Sequence, residues 1–184
     1  AEYLQGMLAT EPSLKLVRLS RNFGKEAAMT AGIVHAEGEA VILLDADLQD
    51  PPELIPEMVQ AWQQGADVVC MRRRSRAGES WLKRASAYAF YRLLNRLSRA
   101  AIPADTGDFR LMSRRAVRAL LKLPERCRYM KGLYAWIGMP TRIIDYDRAP
   151  RAAGTTKWNY FALFRLAMEG ITSFSTAPLR WATG

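Results

Sequence analysis

Apolar and basic positions alternate over Leu14-Lys15-Leu16-Val17-Arg18-Leu19, the period of a half-buried strand. Asn22-Phe23-Gly24 supplies a turn, and Lys25 to His35 then reads as a helix of small residues ending near Gly38. Ala40-Val41-Ile42-Leu43-Leu44 is an unbroken apolar run before Asp45, the pattern of a central parallel strand buried on both faces. Strand, helix and strand within about 30 residues predict a βαβ unit. Asp50 is placed to cap the next helix, with Pro51 and Pro52 in its first turn and Glu53 three residues on. Leu54, Ile55, Met58, Val59 and Trp62 give that helix one apolar stripe, Gly65 ends it, and Asp67 to Met71 is the next strand. The pattern predicts an α/β fold with a mainly parallel sheet.

Further along, residues 82–102 predict a helix with Leu82, Ala89, Phe90, Leu93, Leu94, Leu97 and Ala101 on one side. Its Lys83, Arg84, Arg92, Arg96 and Arg99 make either a solvated basic face or a surface turned to phosphates. Phe109 to Met112 and Arg142 to Tyr146 are short strand candidates. From Trp158 to Glu169 an aromatic-rich amphipathic helix carries Arg165 and Glu169, which suits a membrane interface rather than a buried span.

Composition narrows the class. The 184 residues are 49% hydrophobic and 24% charged, which excludes disordered and disulfide-stapled chains. Two cysteines without CxxC spacing and a single histidine exclude a Cys/His zinc site and any His-based triad. The formal charge of +9 is unevenly spread. Residues 1–71 hold 4 Lys/Arg against 11 Asp/Glu, whereas residues 72–118 hold 13 against 3. A basic remainder behind an acidic first third suggests anionic partners: phosphates, nucleic acid or an anionic membrane face. No signal peptide and no apolar run of about 18 residues is visible.

Three clusters can carry chemistry. Asp45-Ala46-Asp47-Leu48-Gln49 stands where a buried strand ends, the edge at which open α/β sheets bind ligands. In an extended chain Asp45 and Asp47 share a side, and two converging carboxylates call for a hard divalent cation on phosphate oxygens; the plainer reading is a polar strand end. Arg21 and Lys25 flank a strand-to-helix turn on the same predicted edge, either as an anion site with the helix N-terminus or as solvated charges around Gly24. Asp108 and Arg110 lie two apart on one side of a short strand, with Arg114 and Arg115 nearby, as phosphate ligands or as a structural ion pair. A basic stretch from Arg151 to Trp158 is a linker or a closing clamp.

The order RNFGKEAAMTAG, LLDADLQDPPELIPEM, GDFRLMSR, RAAGTTKWN and EGITSFSTAPLR, from about Leu14 to Arg180, resembles the family-2 inverting glycosyltransferases that act on polyisoprenyl phosphates. Within that group the chain is most similar to the bacterial bactoprenol glucosyltransferases, relatives of dolichol-phosphate mannose synthase. The resemblance implies a GT-A type nucleotide-sugar-binding domain over residues 1–156, and an amphipathic interfacial helix with the start of a membrane-proximal segment over 157–184. It implies that Asp45, Asp47 and Gln49 hold Mg²⁺ or Mn²⁺ on the donor diphosphate, with Arg151, Gly154 and Lys157 near it. Arg21 and Lys25 of the candidate anion site are expected to bind the same diphosphate. Arg110, with Asp108 of the same motif and Arg114, would meet the lipid phosphate. Thr156 stands where the family usually has Ser. Family members also begin with a nucleotide-binding strand and carry two membrane helices after the ITSFS segment, so the chain is expected to correspond to a central portion of such an enzyme.

The implied reaction transfers a hexose, glucose by closest resemblance, from a UDP-sugar to a lipid such as undecaprenyl phosphate with inversion, for cell-envelope glycans. The implied place is the cytoplasmic side of a bacterial inner membrane, on the membrane surface. Mannosyl transfer, a catalytically silent membrane scaffold and a nucleic-acid-binding module are the competing readings, and self-association is left open. Against nucleic acid, no RRM, zinc-finger or helix-turn-helix pattern occurs and the aromatics lie in apolar stripes. A prenyl phosphate with a second pKa of about 6 is already a nucleophilic dianion at neutral pH. It needs no histidine base, and Asp108 is expected to orient Arg110 rather than to take a proton.

Overall fold

The computed structural model of the protein describes residues 2–47, 49–74, 106–125 and 130–147. The chain divides into two units, Ala1–Glu37 and Gly38–Gly184.

The first unit contains α1 (Glu2–Met7) and α2 (Lys25–His35). Gly24 precedes α2 with φ of +90°, a conformation costly for any side chain, and its N–H donates to Asn22 Oδ1 at 2.9 Å. The turn and helix are therefore where the sequence puts them. Leu14 to Val17 do alternate between partly buried and exposed, but residues 14–19 are not a strand. Alternation reports which side chains meet an apolar surface; a strand also needs a neighbouring backbone, and among the described residues none pairs with this one. The expected βαβ unit lacks its first strand.

The second unit is built on β1 (Ala40–Leu43), β2 (Val68–Arg73), β3 (Thr106–Ser113) and β4 (Thr141–Tyr146), in the order β1-β3-β2-β4. β1, β2 and β4 run in one direction, as a mainly parallel sheet requires. β3 runs against its two neighbours and separates them, so the β2–β4 ladder is the parallel one and the sheet is mixed. The continuous apolar run at β1 predicts a central strand buried on both faces. Instead β1 is antiparallel to β3 and mostly half-buried. Hydrophobicity marks a strand as buried or not; it carries no information about the direction of the partner.

α3 (Ile55–Gln63), which follows a 3₁₀ turn at Pro52–Leu54, covers one face. Its Met58 and Ala61 pack with Val69, Met71, Phe109, Leu111 and Tyr146, and the Phe109 and Tyr146 rings meet edge to face with centroids 5.9 Å apart. Gly65, at φ +101°, closes α3 by donating to Trp62 O at 2.9 Å. Strand residues alternate between faces, so Val68, Cys70, Arg110 and Met112 look the other way. There Arg110 meets Tyr134 of a short helix, Met130–Trp136. Asp50 does not cap α3: neither helical start has a side-chain cap, and the buried Asp50 carboxylate accepts the Tyr146 hydroxyl instead. Pro51 and Pro52 have no N–H for a cap to satisfy.

At the opposite end of the sheet, Ser113 caps the helix Arg114–Leu121, its Oγ accepting from Ala116 N at 3.1 Å and donating to Asp67 Oδ1 at 2.6 Å. Arg115 pairs with the same carboxylate. The predicted helices over 82–102 and 158–169, the basic stretch from residue 151 and the boundary at 156/157 lie outside the described residues. Among the described residues no helix is long and apolar enough to cross a membrane.

Arg115 and Ser113 hold the Asp67 carboxyl below its ordinary value of 3.8 against the opposing effect of burial, with the Arg115 hydrogen bond the largest cause. The folded pKa is lower than the unfolded one, so this stability is present above pH 3.8 and is lost as pH falls through the folded value. Ser113→Ala is expected to cost about 1 kcal/mol through the lost cap. Asp67→Asn is expected to destabilise at pH 7, with the gap from wild type narrowing toward pH 3 (about one unit below an ordinary Asp) in urea titrations.

Candidate functional site

The strands dictate where polar groups gather. β1, β2 and β4 end at one edge of the sheet, and β3, running the other way, begins there. The β1–β3 ladder ends at Leu43 and Arg110, so Asp45, two residues after Leu43, and Asp108, two before Arg110, both come at this edge. Arg73, Arg74 and Asp147 lie at the ends of β2 and β4 on the same edge. Sequence distances of more than sixty residues thus collapse onto one rim.

Leu44 and Asp45 leave β1, and Ala46 and Asp47 form a turn. The extended geometry that would put Asp45 and Asp47 on one side is therefore absent. Asp47 folds back so that its Oδ1 accepts the Gln49 N–H at 3.2 Å. Asp45, Asp47 and Gln49 are all partly buried, and Asp50 is fully buried. Carboxylate and amide oxygens are the donors that Mg²⁺ and Mn²⁺ take. Among the described residues no three His, Cys, Asp or Glu side chains gather. The loop therefore offers oxygen donors of the type such a cation takes but, among the described residues, not a complete set of protein ligands.

Arg110 has the most unusual environment. It is 3% exposed. One terminal nitrogen donates to Gly107 O at 2.7 Å, and the guanidinium carbon lies 3.7 Å from the Tyr134 ring centroid. Its Nε is buried without a hydrogen-bond partner, and no carboxylate pairs with it among the described residues. Neighbouring arginines differ: Arg72 grips Asp145 through two bonds of 2.7 and 2.9 Å, and Arg74 lies 3.9 Å from Asp147. Cys70, across the ladder from Arg110, does not neutralise it, because burial pushes that thiol up despite the nearby positive charge. A buried cation held, among the described residues, by a carbonyl and a ring is costly alone and favourable beside an anion.

Asp108 shares the Arg110 face of β3, as its spacing predicts, but does not orient the guanidinium; Gly107 and Tyr134 do that. Arg114 is not gathered at this rim. Its Nε donates to Gly38 O at 2.8 Å, at the end of β3 remote from Asp108. Arg21 and Lys25 belong to the first unit, where Arg21 stacks on Phe23 at 4.3 Å and Lys25 opens α2. Arg151 and Lys157 lie outside the described residues.

The sequence reading missed Tyr134, Arg73 and Tyr146. Tyr134 sits in a short apolar helix with no motif around it, so nothing marked it. Tyr146 was legible only as an aromatic residue in a strand. Burial raises its hydroxyl to about 12, assisted by the hydrogen bond to Asp50 and opposed by one from Arg73. It therefore stays a protonated donor throughout the physiological range.

Similarity to known proteins accords with this geometry. Residues 1–121 match the family described as Glycosyl transferase family 2. An uncharacterized glycosyltransferase of Synechocystis is 54% identical over 167 residues, 91% of this chain and 52% of that protein. The bactoprenol glucosyl transferase of Shigella phage SfV and the prophage bactoprenol glucosyl transferase homolog of Escherichia coli are each 48% identical over 177 residues, 96% of this chain and 58% of theirs. The chain spans about half the length of the curated relatives it matches. The match over residues 1–121, two thirds of the chain, makes this a member of glycosyl transferase family 2.

Proposed function

We propose that the protein transfers a hexose, glucose in the first instance, from a UDP-sugar to a polyisoprenyl phosphate such as undecaprenyl phosphate, with inversion at the anomeric carbon. The observation that carries this reading is Arg110, a buried guanidinium with a fixed orientation and no acidic partner among the described residues. The names of the relatives from Shigella phage SfV and Escherichia coli support a polyprenyl acceptor and glucose. A lipid acceptor in turn favours work at the cytoplasmic face of a bacterial inner membrane, for envelope glycans.

A phosphate dianion beside Arg110 would exchange water for a charge-assisted contact in a region of low dielectric, which favours its binding and aligns its oxygen for attack. The Gly107 carbonyl and Tyr134 ring restrict guanidinium motion, so little entropy is lost when the anion arrives. Asp45, Asp47 and Gln49 would hold Mg²⁺ or Mn²⁺, which when bound supplies charge neutralisation for the leaving diphosphate. No side chain need accept a proton, since the acceptor is already ionised near neutral pH. The chain's own contribution is positioning of two anionic substrates at one sheet edge.

Two outcomes follow for the natural protein in detergent. Asp47→Ala is expected to remove divalent-dependent transfer from UDP-glucose while the circular dichroism spectrum stays unchanged; full Mn²⁺-stimulated turnover would refute the metal assignment, and a preference for GDP-mannose would refute the sugar.

Arg110→Met is expected to leave the melting temperature equal or higher, because an unpaired buried charge is replaced by apolar volume. The same change should weaken acceptor use by about 1.5–3 kcal/mol, the scale of a charge-assisted hydrogen bond, with UDP affinity retained. Inorganic phosphate should raise the melting temperature of wild type and not of the variant. A large loss of stability in Arg110→Met would show that the guanidinium is structurally paired.

A further inference from the structure

The loop that follows β1 is fastened at its far end. Asp50 is 3% exposed and its carboxylate accepts the hydroxyl of Tyr146, 96 residues away in sequence. Tyr146 is 4% exposed, sits at the last position of β4, and is itself braced by the edge-on Phe109 ring. Arg73 pairs with Tyr146 across the β2–β4 ladder. At the near end the loop is continuous with β1, whose ladder to β3 stops at Leu43. The loop thus has one strand anchor at each end, the end of β1 and the Asp50–Tyr146 contact. Asp45, Asp47 and Gln49 all lie in that span.

We propose that Tyr146 and Asp50 are positioning residues: their buried hydrogen bond latches the loop to β4 and so sets the spacing of the Asp45, Asp47 and Gln49 oxygens. The argument is geometric. A six-residue span with one end loose samples many conformations, and each oxygen that must be brought back costs conformational entropy. Anchoring Asp50 to a strand removes much of that freedom before any ligand arrives. A carboxylate used only as a helix cap would lie at the exposed start of α3; this one is buried under the sheet edge and bonded to a different strand. The latch also connects the acidic loop to the end of β4.

This inference rests on the functional reading for what the loop binds, and the test separates the two. The hydroxyl can be removed without disturbing the core, since Tyr146→Phe keeps the ring against Phe109. Hydrogen exchange and calorimetric titration of UDP, with and without Mn²⁺, are measured on wild type, Tyr146→Phe, Asp50→Ala and Asp50→Asn. Tyr146→Phe and Asp50→Ala are expected to speed amide exchange within 44–50 and to weaken the Mn²⁺-dependent part of UDP binding about tenfold, the scale of one hydrogen bond to a charged acceptor. Metal-free UDP binding and exchange in β2 and β3 should not change. Asp50→Asn, which keeps an acceptor oxygen, should recover part of both effects. Unchanged exchange within 44–50 in Tyr146→Phe would overturn the latch, as would equal weakening of UDP binding with and without Mn²⁺. If wild type bound no UDP at all, the functional reading would fail while the exchange data would still decide the latch.

Discussion

Because β3 runs against β1 and β2, its first residues land beside the last residues of both neighbours, and that single reversal assembles the rim. In an all-parallel sheet the GDFR segment would enter at the opposite end from Asp45 and Asp47. Inserted antiparallel, it brings Asp108 to the edge where β1 ends and pairs the buried Arg110 with Leu43, the last residue of β1. The register is fixed by burial. Phe109 and Leu111 must face α3 together with Val69 and Met71, and a slip of one residue would drive Arg110 into that apolar core.

The two ends of the sheet then differ in how fully their polar groups are satisfied. At the end of β3 that leads into the helix Arg114–Leu121, Asp67 has Ser113 and Arg115, and Arg114 has the Gly38 carbonyl. That end is a structural joint, and its charges are answered within the chain. At the rim, Arg110 keeps a buried N–H with no acceptor and Arg73 keeps another among the described residues. Native proteins leave few such groups, and each calls for a specific cause. The asymmetry distinguishes the two ends of the sheet independently of any motif.

A buried cation would by itself favour rearrangement. Here it is restrained from three directions: by the Gly107 carbonyl, by the Tyr134 ring and by the strand ladder on both sides. The acidic loop is restrained at one remove, through Asp50 and Tyr146. Positive and negative elements of the rim are thus held by separate supports. The support of Arg110 therefore does not depend on the Asp50–Tyr146 contact that fastens the acidic loop.

How much of this was legible in the sequence differs by residue type. Local signals were reliable: the Gly24 turn and α2, the stripe of α3 with its Gly65 stop, and the strands at Val68, Phe109 and Arg142 all depend on nearest neighbours and periodicity. The acidic and GDFR motifs were equally visible, because their residue types are unusual at strand ends. Strand direction was not, since an apolar run is the same read either way; hence β1 was expected to be central and parallel, and residues 14–19 to be a strand. Nor was the choice of partners visible: Asp50 reads as a cap until Tyr146 claims it, Asp108 as the orienter of Arg110 until Tyr134 and Gly107 take that place, and Arg114 as a phosphate ligand until the Gly38 carbonyl binds it. By itself the sequence determined which residues carry charge and which segments form elements, because these follow from local chemistry. Only the tertiary structure decided which charges are answered and which remain open, because that depends on contacts between segments whose separation in sequence places no limit on their approach in space.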